Sequence, residues 1–193
     1  MNEKRVRDNW TWKAKDPRIW VEYGVRLLKA SEWVEHGYNQ RDEDGAQRPQ
    51  AIALMGPMMM LKGMAIECLF KAIAVKKGHR FDTERYLVSN HDLVKLARNE
   101  RVAVELDKDE ETLLERLAFA VKIFGRYPMV GGEEGWKKGL YRKTSPGSEE
   151  WLSWVMWTGN DSRAVTRLSD RLIALADVEL DADGLVVIGS PNP

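Results

Sequence analysis

The region from Leu61 to Gly78 constrains the fold of this 193-residue chain most strongly. Its apolar residues recur every three or four positions, which is the spacing of one buried helix face. Gly56-Pro57 either kinks this helix or marks its start, and Gly78 ends it behind two lysines. The predicted buried stripe consists of Leu61, Met64, Ala65, Cys68, Leu69, Ala72 and Ile73.

Helix start signals recur on both sides of this region. Asp16-Pro17 predicts a helix to about Tyr38, because a carboxylate caps it and proline suits the first helical position. Its predicted inner face carries Trp20, Gly24, Leu27, Ser31 and Val34. A short third helix is predicted from Ser89 or Asn90, with Asp92 completing a capping box. Helix signals therefore outnumber strand signals in this half of the chain.

Three more helices are predicted downstream. The first begins at Asp107, where Glu110 supplies the reciprocal cap, and Gly125 ends it. Residues 129–147 then read as a glycine-rich loop. Ser148 is expected to cap a helix that carries Trp151, Trp154 and Val155, and a last helix is expected from about Ser162. The pattern predicts an all-α fold, an up-and-down bundle of four to five main helices.

One folded domain is expected over residues 16–180. Residues 1–15 form a charged N-terminal arm, and residues 181–193 are expected to be either a short C-terminal strand or a disordered tail. The arm has no apolar segment behind it and does not look like a signal peptide. No apolar run is long enough to span a bilayer, so a cytoplasmic protein with no membrane partner is expected.

Composition narrows the function classes. Lys plus Arg equals Asp plus Glu at 30 each, so nucleic-acid binding would need a local patch rather than a global field. The lone Cys68 is expected to be buried, and there is no disulfide framework. No metal-ligand spacing, phosphate-binding glycine loop or dinucleotide fingerprint is present, so neither a metal nor a cofactor is expected.

A family resemblance rests on three motifs in order. Glu67-x-x-x-Lys71-Ala72 in a glycine-ended helix is followed by His91-Asp92-Leu93-x-x-Leu96, then by a helix that closes on Gly125-Arg126-Tyr127-Pro128. This order resembles the prokaryotic HEPN-like helical domains, from the first helix to Pro128. The resemblance implies an antiparallel bundle of four to five helices, a homodimer, and a toxin–antitoxin or phage-defence setting. It also implies kinship with metal-independent endoribonucleases.

The nuclease motif of that family is missing or displaced in this chain. Active members have Arg, then four to six intervening residues, then His near the start of a late helix, and no histidine follows His91 here. Arg85 and His91 match the spacing formally, but they precede the third helix. The resemblance therefore favours binding without cleavage, and cleavage by His91 with Arg126 is the alternative. In that chemistry imidazole moves the proton and guanidinium stabilises the phosphorane charge.

Binding residues are predicted in two regions. Arg126 and Tyr127 follow a helix end, where they suit either dipole complementation or phosphate and base contact. The loop behind them combines aromatic rings with four cations, as single-strand binding surfaces do. Its predicted ligand residues are Trp136, Lys137, Lys138, Tyr141, Arg142 and Lys143. Glu67 and Lys71 are either an ordinary helix pair or a polar contact in a groove.

Three functions remain open from the sequence. The first is a dimeric HEPN-like protein that binds RNA or a nucleotide without cutting it. The second is a metal-independent endoribonuclease that uses Arg126 and His91 across the dimer. The third is an interaction module that pairs with a protein partner, such as an antitoxin or adaptor. The methionine-rich helix is the predicted dimer interface, because its apolar residues cover more than one face.

Overall fold

The computed structural model describes residues 15–40, 45, 53–81, 87, 91–124, 141–145, 148–151, 157–181 and 184–187. Within these ranges the chain forms five helices and two short strands. They are α1 (Pro17–Tyr38), α2 (Met55–Lys76), α3 (Leu93–Ala97), α4 (Lys108–Phe124), β1 (Tyr141–Ser145), β2 (Ser148–Trp151) and α5 (Gly159–Ala176). The predicted all-α bundle is confirmed.

The ends of α1 and α2 follow the predicted capping chemistry. The Asp16 carboxylate accepts the backbone N–H of Arg18, with Pro17 in the first helical position. Gly78 adopts a φ of 89°, a left-handed conformation that costs glycine little. The N–H groups of Gly78 and His79 return to the carbonyls of Val75 and Ala74, which closes α2 with a Schellman motif.

Helix α2 lies at the centre of the bundle and contacts α1, α3, α4 and α5. A Cβ at Gly63 would lie 2.6 Å from a Val121 methyl group of α4, so the two helices meet at unusually close range. Met58 and Met59 are fully buried within the monomer, whereas Met64 of the predicted stripe is 38% exposed. The central position of α2 therefore explains why its apolar residues cover more than one face. The wide apolar surface was the reason for predicting a dimer interface on this helix, and that reason no longer holds.

The long helices α1, α2, α4 and α5 alternate in direction along the chain, as an up-and-down bundle requires. Gly24 of α1 packs against Leu69 of α2, and Gly37 near the end of α1 packs against Leu54 just before α2. In the same way Gly56 at the start of α2 meets Phe124 at the end of α4. Helix α5 then runs parallel to α2, since Lys76 at the end of α2 contacts the end of α5.

Two predicted helix starts are corrected and one is confirmed. The third helix begins at Leu93 rather than near Ser89. Asp92 is its N-cap and not the N3 residue of a capping box, because the Asp92 carboxylate accepts the N–H of Lys95. Asp107 and Glu110 form the predicted reciprocal cap at the start of α4. The last helix begins at Gly159 rather than Ser162, because Thr158 and Asp161 form a capping box.

The predicted helix from Ser148 is wrong at its start. Residues 148–151 form β2, which pairs antiparallel with β1 so that Tyr141 faces Trp151 and Arg142 faces Glu150. The part of the predicted loop from 141 to 145 is therefore strand; Trp154 and Val155 lie outside the described residues. The tail forms a single antiparallel bridge between Leu180 and Val186. No helix in the described ranges has both the length and the apolar character of a bilayer span.

Candidate functional site

Glu67, Lys71 and His91 meet at one point of the bundle and are called here the His91 cluster. One carboxylate oxygen of Glu67 lies 2.7 Å from Lys71 Nζ, and the other lies 2.6 Å from His91 Nδ1. Side-chain exposure is 13% for Glu67, 20% for Lys71 and 28% for His91. The sequence placed Glu67 and Lys71 on one helix turn, but the contact of Glu67 with His91 is a tertiary feature.

Two elements position the His91 cluster. Glu67 and Lys71 are four positions apart on α2, so both side chains lie on the same helix face. His91 precedes the Asp92 cap of α3 and has a φ of 54°, a conformation that most non-glycine residues avoid. This backbone turn, directly before α3, accompanies the contact of the His91 imidazole with α2. His91 therefore lies before its helix rather than inside it.

The electrostatics of the cluster define the tautomer of His91. Burial raises the pKa of Glu67, but the charge and hydrogen bond of Lys71, with His91, lower it more, so the pKa lies below its ordinary value. An ionised carboxylate only accepts hydrogen bonds, so His91 Nδ1 must be the donor. His91 Nε2 is then the ring nitrogen that faces other partners, as a base when the ring is neutral.

An aromatic wall adjoins the cluster. Lys71 Nζ lies 5.1 Å from the centroid of the Trp20 ring, and the Phe81 ring lies 5.1 Å beyond Trp20 at an angle of 47°. His79 packs edge-on against Phe81. Trp20 was predicted as a core residue and Phe81 was not singled out. Nothing in the spacing of these residues indicates that they meet, because α1 and the turn after α2 meet only in the tertiary fold.

A second polar cluster lies on another face of α2. Lys62 is 4% exposed and its ammonium group lies 2.9 Å from a Glu35 carboxylate oxygen. Trp157 stands beside this pair, with Lys62 Nζ 5.6 Å from its ring centroid, and its indole N–H donates to Ser162 Oγ at 2.8 Å. Ser162 also donates to Glu35. These four residues, with Arg116 and Asp161 described next, are called the Trp157 network.

Arg116 extends the Trp157 network to the start of α5. Its guanidinium forms two hydrogen bonds with the Asp161 carboxylate, at 2.7 and 3.3 Å, and lies 5.8 Å from the Trp157 ring centroid. Asp161 also closes the capping box with Thr158. Burial raises the pKa of Glu35, but hydrogen bonds from Ser162 and Lys62 lower it below its ordinary value. The sequence pattern did not predict this network. The feature that could have indicated it is Lys62, a lysine inside an apolar run.

Most of the remaining predicted site residues belong to parts of the chain that the structure does not describe. Arg85, Arg126, Tyr127, Trp136, Lys137 and Lys138 lie outside the described residues. The backbone of Tyr141, Arg142 and Lys143 belongs to β1. The described part of the chain contains no group of three His, Cys, Asp or Glu side chains arranged for a metal ion.

Comparison of the chain with models of protein families, with curated proteins and with solved structures finds no match. The resemblance to HEPN-like domains therefore rests on the motifs and their order alone, and it stays a prediction.

Proposed function

We propose that this chain is a HEPN-like protein that binds RNA or a nucleotide, with the His91 cluster as part of the binding surface. The observation that supports this function best is the contact of one carboxylate, Glu67, with both a lysine and an imidazole. A toxin–antitoxin or phage-defence setting, and a homodimer, belong to the same proposal through the family resemblance.

The chemistry of the cluster suits a phosphate ester. His91 Nε2 is presented by a ring that Glu67 orients, and a protonated imidazole is a donor for a phosphate oxygen. Lys71 adds a second cation within the same group. Trp20 and Phe81 supply aromatic rings next to these cations, and bases stack on such rings in single-stranded complexes. The combination is specific for a ligand that has both phosphate and a ring.

The test is the binding of a fluorescently labelled single-stranded RNA, measured by anisotropy at several salt concentrations. His91→Ala is expected to weaken binding about tenfold, and Lys71→Ala to reduce the salt slope by about 0.7 per lost phosphate contact. His36→Ala and Lys122→Ala are matched controls, because both residues are exposed on other helices. They should leave affinity and slope unchanged.

Two outcomes contradict the binding proposal. If His91→Ala and Lys71→Ala bind RNA like the wild type, the His91 cluster is not the binding surface. If the wild type retains neither RNA nor nucleotides and shows no salt-dependent binding, the protein-interaction function is favoured instead. Trp33 of α1, which is 81% exposed, would then be the first residue to substitute in a search for a protein partner.

A metal-independent endoribonuclease is the second candidate, and the geometry of Glu67 and His91 favours it specifically. A carboxylate that fixes the tautomer of an imidazole is the arrangement of a general base. In the proposed step, His91 Nε2 takes the proton of a ribose 2′-hydroxyl, the 2′-oxygen bonds to phosphorus, and the bond to the 5′-oxygen breaks. The protonated imidazole then gives its proton to that leaving oxygen, and the family resemblance gives the Arg126 guanidinium the role of stabilising the charge on the phosphorane.

Cleavage is tested by incubating RNA with the protein in EDTA and analysing the ends. Products with 2′,3′-cyclic phosphate that disappear in His91→Ala and fall strongly in Glu67→Gln would support the enzyme. Cleavage at wild-type level by His91→Ala would exclude His91 as the base. RNA binding that depends on His91, without any cleavage, would support the binding function alone.

A further inference from the structure

A cleft between α1 and α5 has a polar floor and apolar walls. Its volume is about 200 Å³, and its floor is formed by Ser31 of α1, Lys62 of α2 and Ser169 of α5. The apolar side chains around it include Leu28, Val165 and Ile173. The three floor residues are 0%, 4% and 2% exposed, so this polar surface is interior to the fold.

Ser169 is the distinctive residue of the floor. Its hydroxyl oxygen is buried and has no hydrogen-bond partner among the described residues. A buried unpartnered hydroxyl destabilises the fold, whereas alanine would fit a helix at this position without that cost. Ser31, by contrast, donates to the Leu28 carbonyl at 2.6 Å and keeps lone pairs that can accept. In the floor, the hydroxyl of Ser169 therefore has both its hydrogen-bond donor and its acceptor capacity unused.

Side chains of both charge signs line the cleft. Lys29 and Lys62 line it together with Glu32 and Asp170, and Lys62 is already paired with Glu35. A charged ligand would bring an uncompensated charge to a buried site, which is costly. The volume is also slightly larger than the roughly 150 Å³ of an engineered cavity that holds benzene. Charge and size together select a small neutral molecule.

The geometry points to a second ligand site in this cleft, for an uncharged molecule about the size of one aromatic ring with a single hydroxyl or carbonyl group. The ring lies against Leu28, Val165 and Ile173, and the polar group exchanges a hydrogen bond with Ser169. This site is independent of the RNA proposal, because Lys62 and Glu67 are five residues apart on α2 and point about 140° away from each other.

The test uses phenol, toluene and benzoate with the full chain, with binding followed by ligand-observed NMR. Phenol is expected to bind more tightly than toluene or benzoate. Ser169→Ala should weaken phenol binding about three- to tenfold and leave toluene binding unchanged, since only phenol loses a hydrogen bond. Thr112→Val, which removes a helix hydroxyl of α4 outside the cleft, is the matched control and should change neither.

Ser169→Leu supplies a second variant, because its side chain fills the cleft. It should abolish binding of both phenol and toluene while the helical circular dichroism stays that of the wild type. The proposal is overturned if the wild type binds none of the three probes. It is also overturned if benzoate binds most tightly, or if Ser169→Ala binds phenol as well as the wild type does.

Discussion

The Trp157 network and the His91 cluster both place charged side chains on α2, but they differ in how their partners are used. Lys62, Glu35 and Arg116 have their charged groups turned toward one another and around the Trp157 ring, with side chains at most 17% exposed. In the His91 cluster, Glu67 is shared by Lys71 and His91, and the imidazole is 28% exposed. Buried charges that satisfy one another hold helices together, whereas an oriented group at the surface remains available to a ligand.

The largest expected effect is on stability, through the Trp157 network. Lys62→Ala leaves the partly buried Glu35 carboxylate without its cation, and such a loss costs about 3–5 kcal/mol in the free energy of unfolding. Lys76→Ala is the matched control, because its partner Asp177 is 80% exposed and exposed pairs contribute less than about 1 kcal/mol. Urea unfolding followed by circular dichroism measures both. Equal losses in the two variants would mean that the Trp157 network stabilises the fold no more than an exposed ion pair does.

The next effect is on ligand affinity with little effect on stability. His91→Ala is expected to lower the free energy of unfolding by less than about 1 kcal/mol, because the side chain is partly exposed, while RNA affinity falls about tenfold. Thermal unfolding and RNA anisotropy on the same samples separate the two quantities. A stability loss as large as that of Lys62→Ala would assign His91 a structural role like that of the network.

Acid should lower the stability that Glu35 and Glu67 contribute, because the pKa of both carboxylates is shifted in the same direction. The pKa values of Glu35 and Glu67 lie below the ordinary value of 4.5, so each carboxylate contributes stability above that pH, and the contribution is lost as the pH falls through the lowered pKa. The midpoint of thermal unfolding, measured from pH 7 to about pH 3, should therefore fall less in Glu35→Gln and Glu67→Gln than in the wild type. Glu100→Gln, at an exposed turn, is the control. If both variants showed the same pH profile as the wild type, the lowered pKa values of Glu35 and Glu67 would be contradicted.

The substitution with the smallest expected effect is tested at Cys68, which follows Glu67 on α2. Burial raises the pKa of its thiol to about 11, so at neutral pH the reactive thiolate is scarce. Alkylation by iodoacetamide is expected to be at least about a hundredfold slower in the folded protein than in urea. His91→Ala is expected to leave the folded rate unchanged, because the imidazole interacts with the Glu67 carboxylate. A marked acceleration in that variant would mean that the His91 side chain closes this part of the bundle.

Local chemistry explains which predictions succeeded. Asp16-Pro17, the Asp107 and Glu110 pair, and Gly78 act through hydrogen bonds and backbone angles within a few residues, so their roles could be inferred from the sequence alone. The helix predicted from Ser148 was wrong because its capping pattern did not exclude a strand that pairs with residues 141–145. Met64 was placed in the core because α2 is apolar nearly all round, and periodicity could not select its exposed side.

The sequence by itself determined the helices, most of their caps and the neighbouring positions of Glu67 and Lys71, because these depend on residues one to four positions apart. Only the tertiary structure decided that His91 meets Glu67, that Trp20 covers Lys71, and that Ser31 and Ser169 share one cleft. Those contacts join helices that are distant in the chain. Their geometry depends on how the helices pack around α2, and close approaches such as the one at Gly63 and Val121 set that packing.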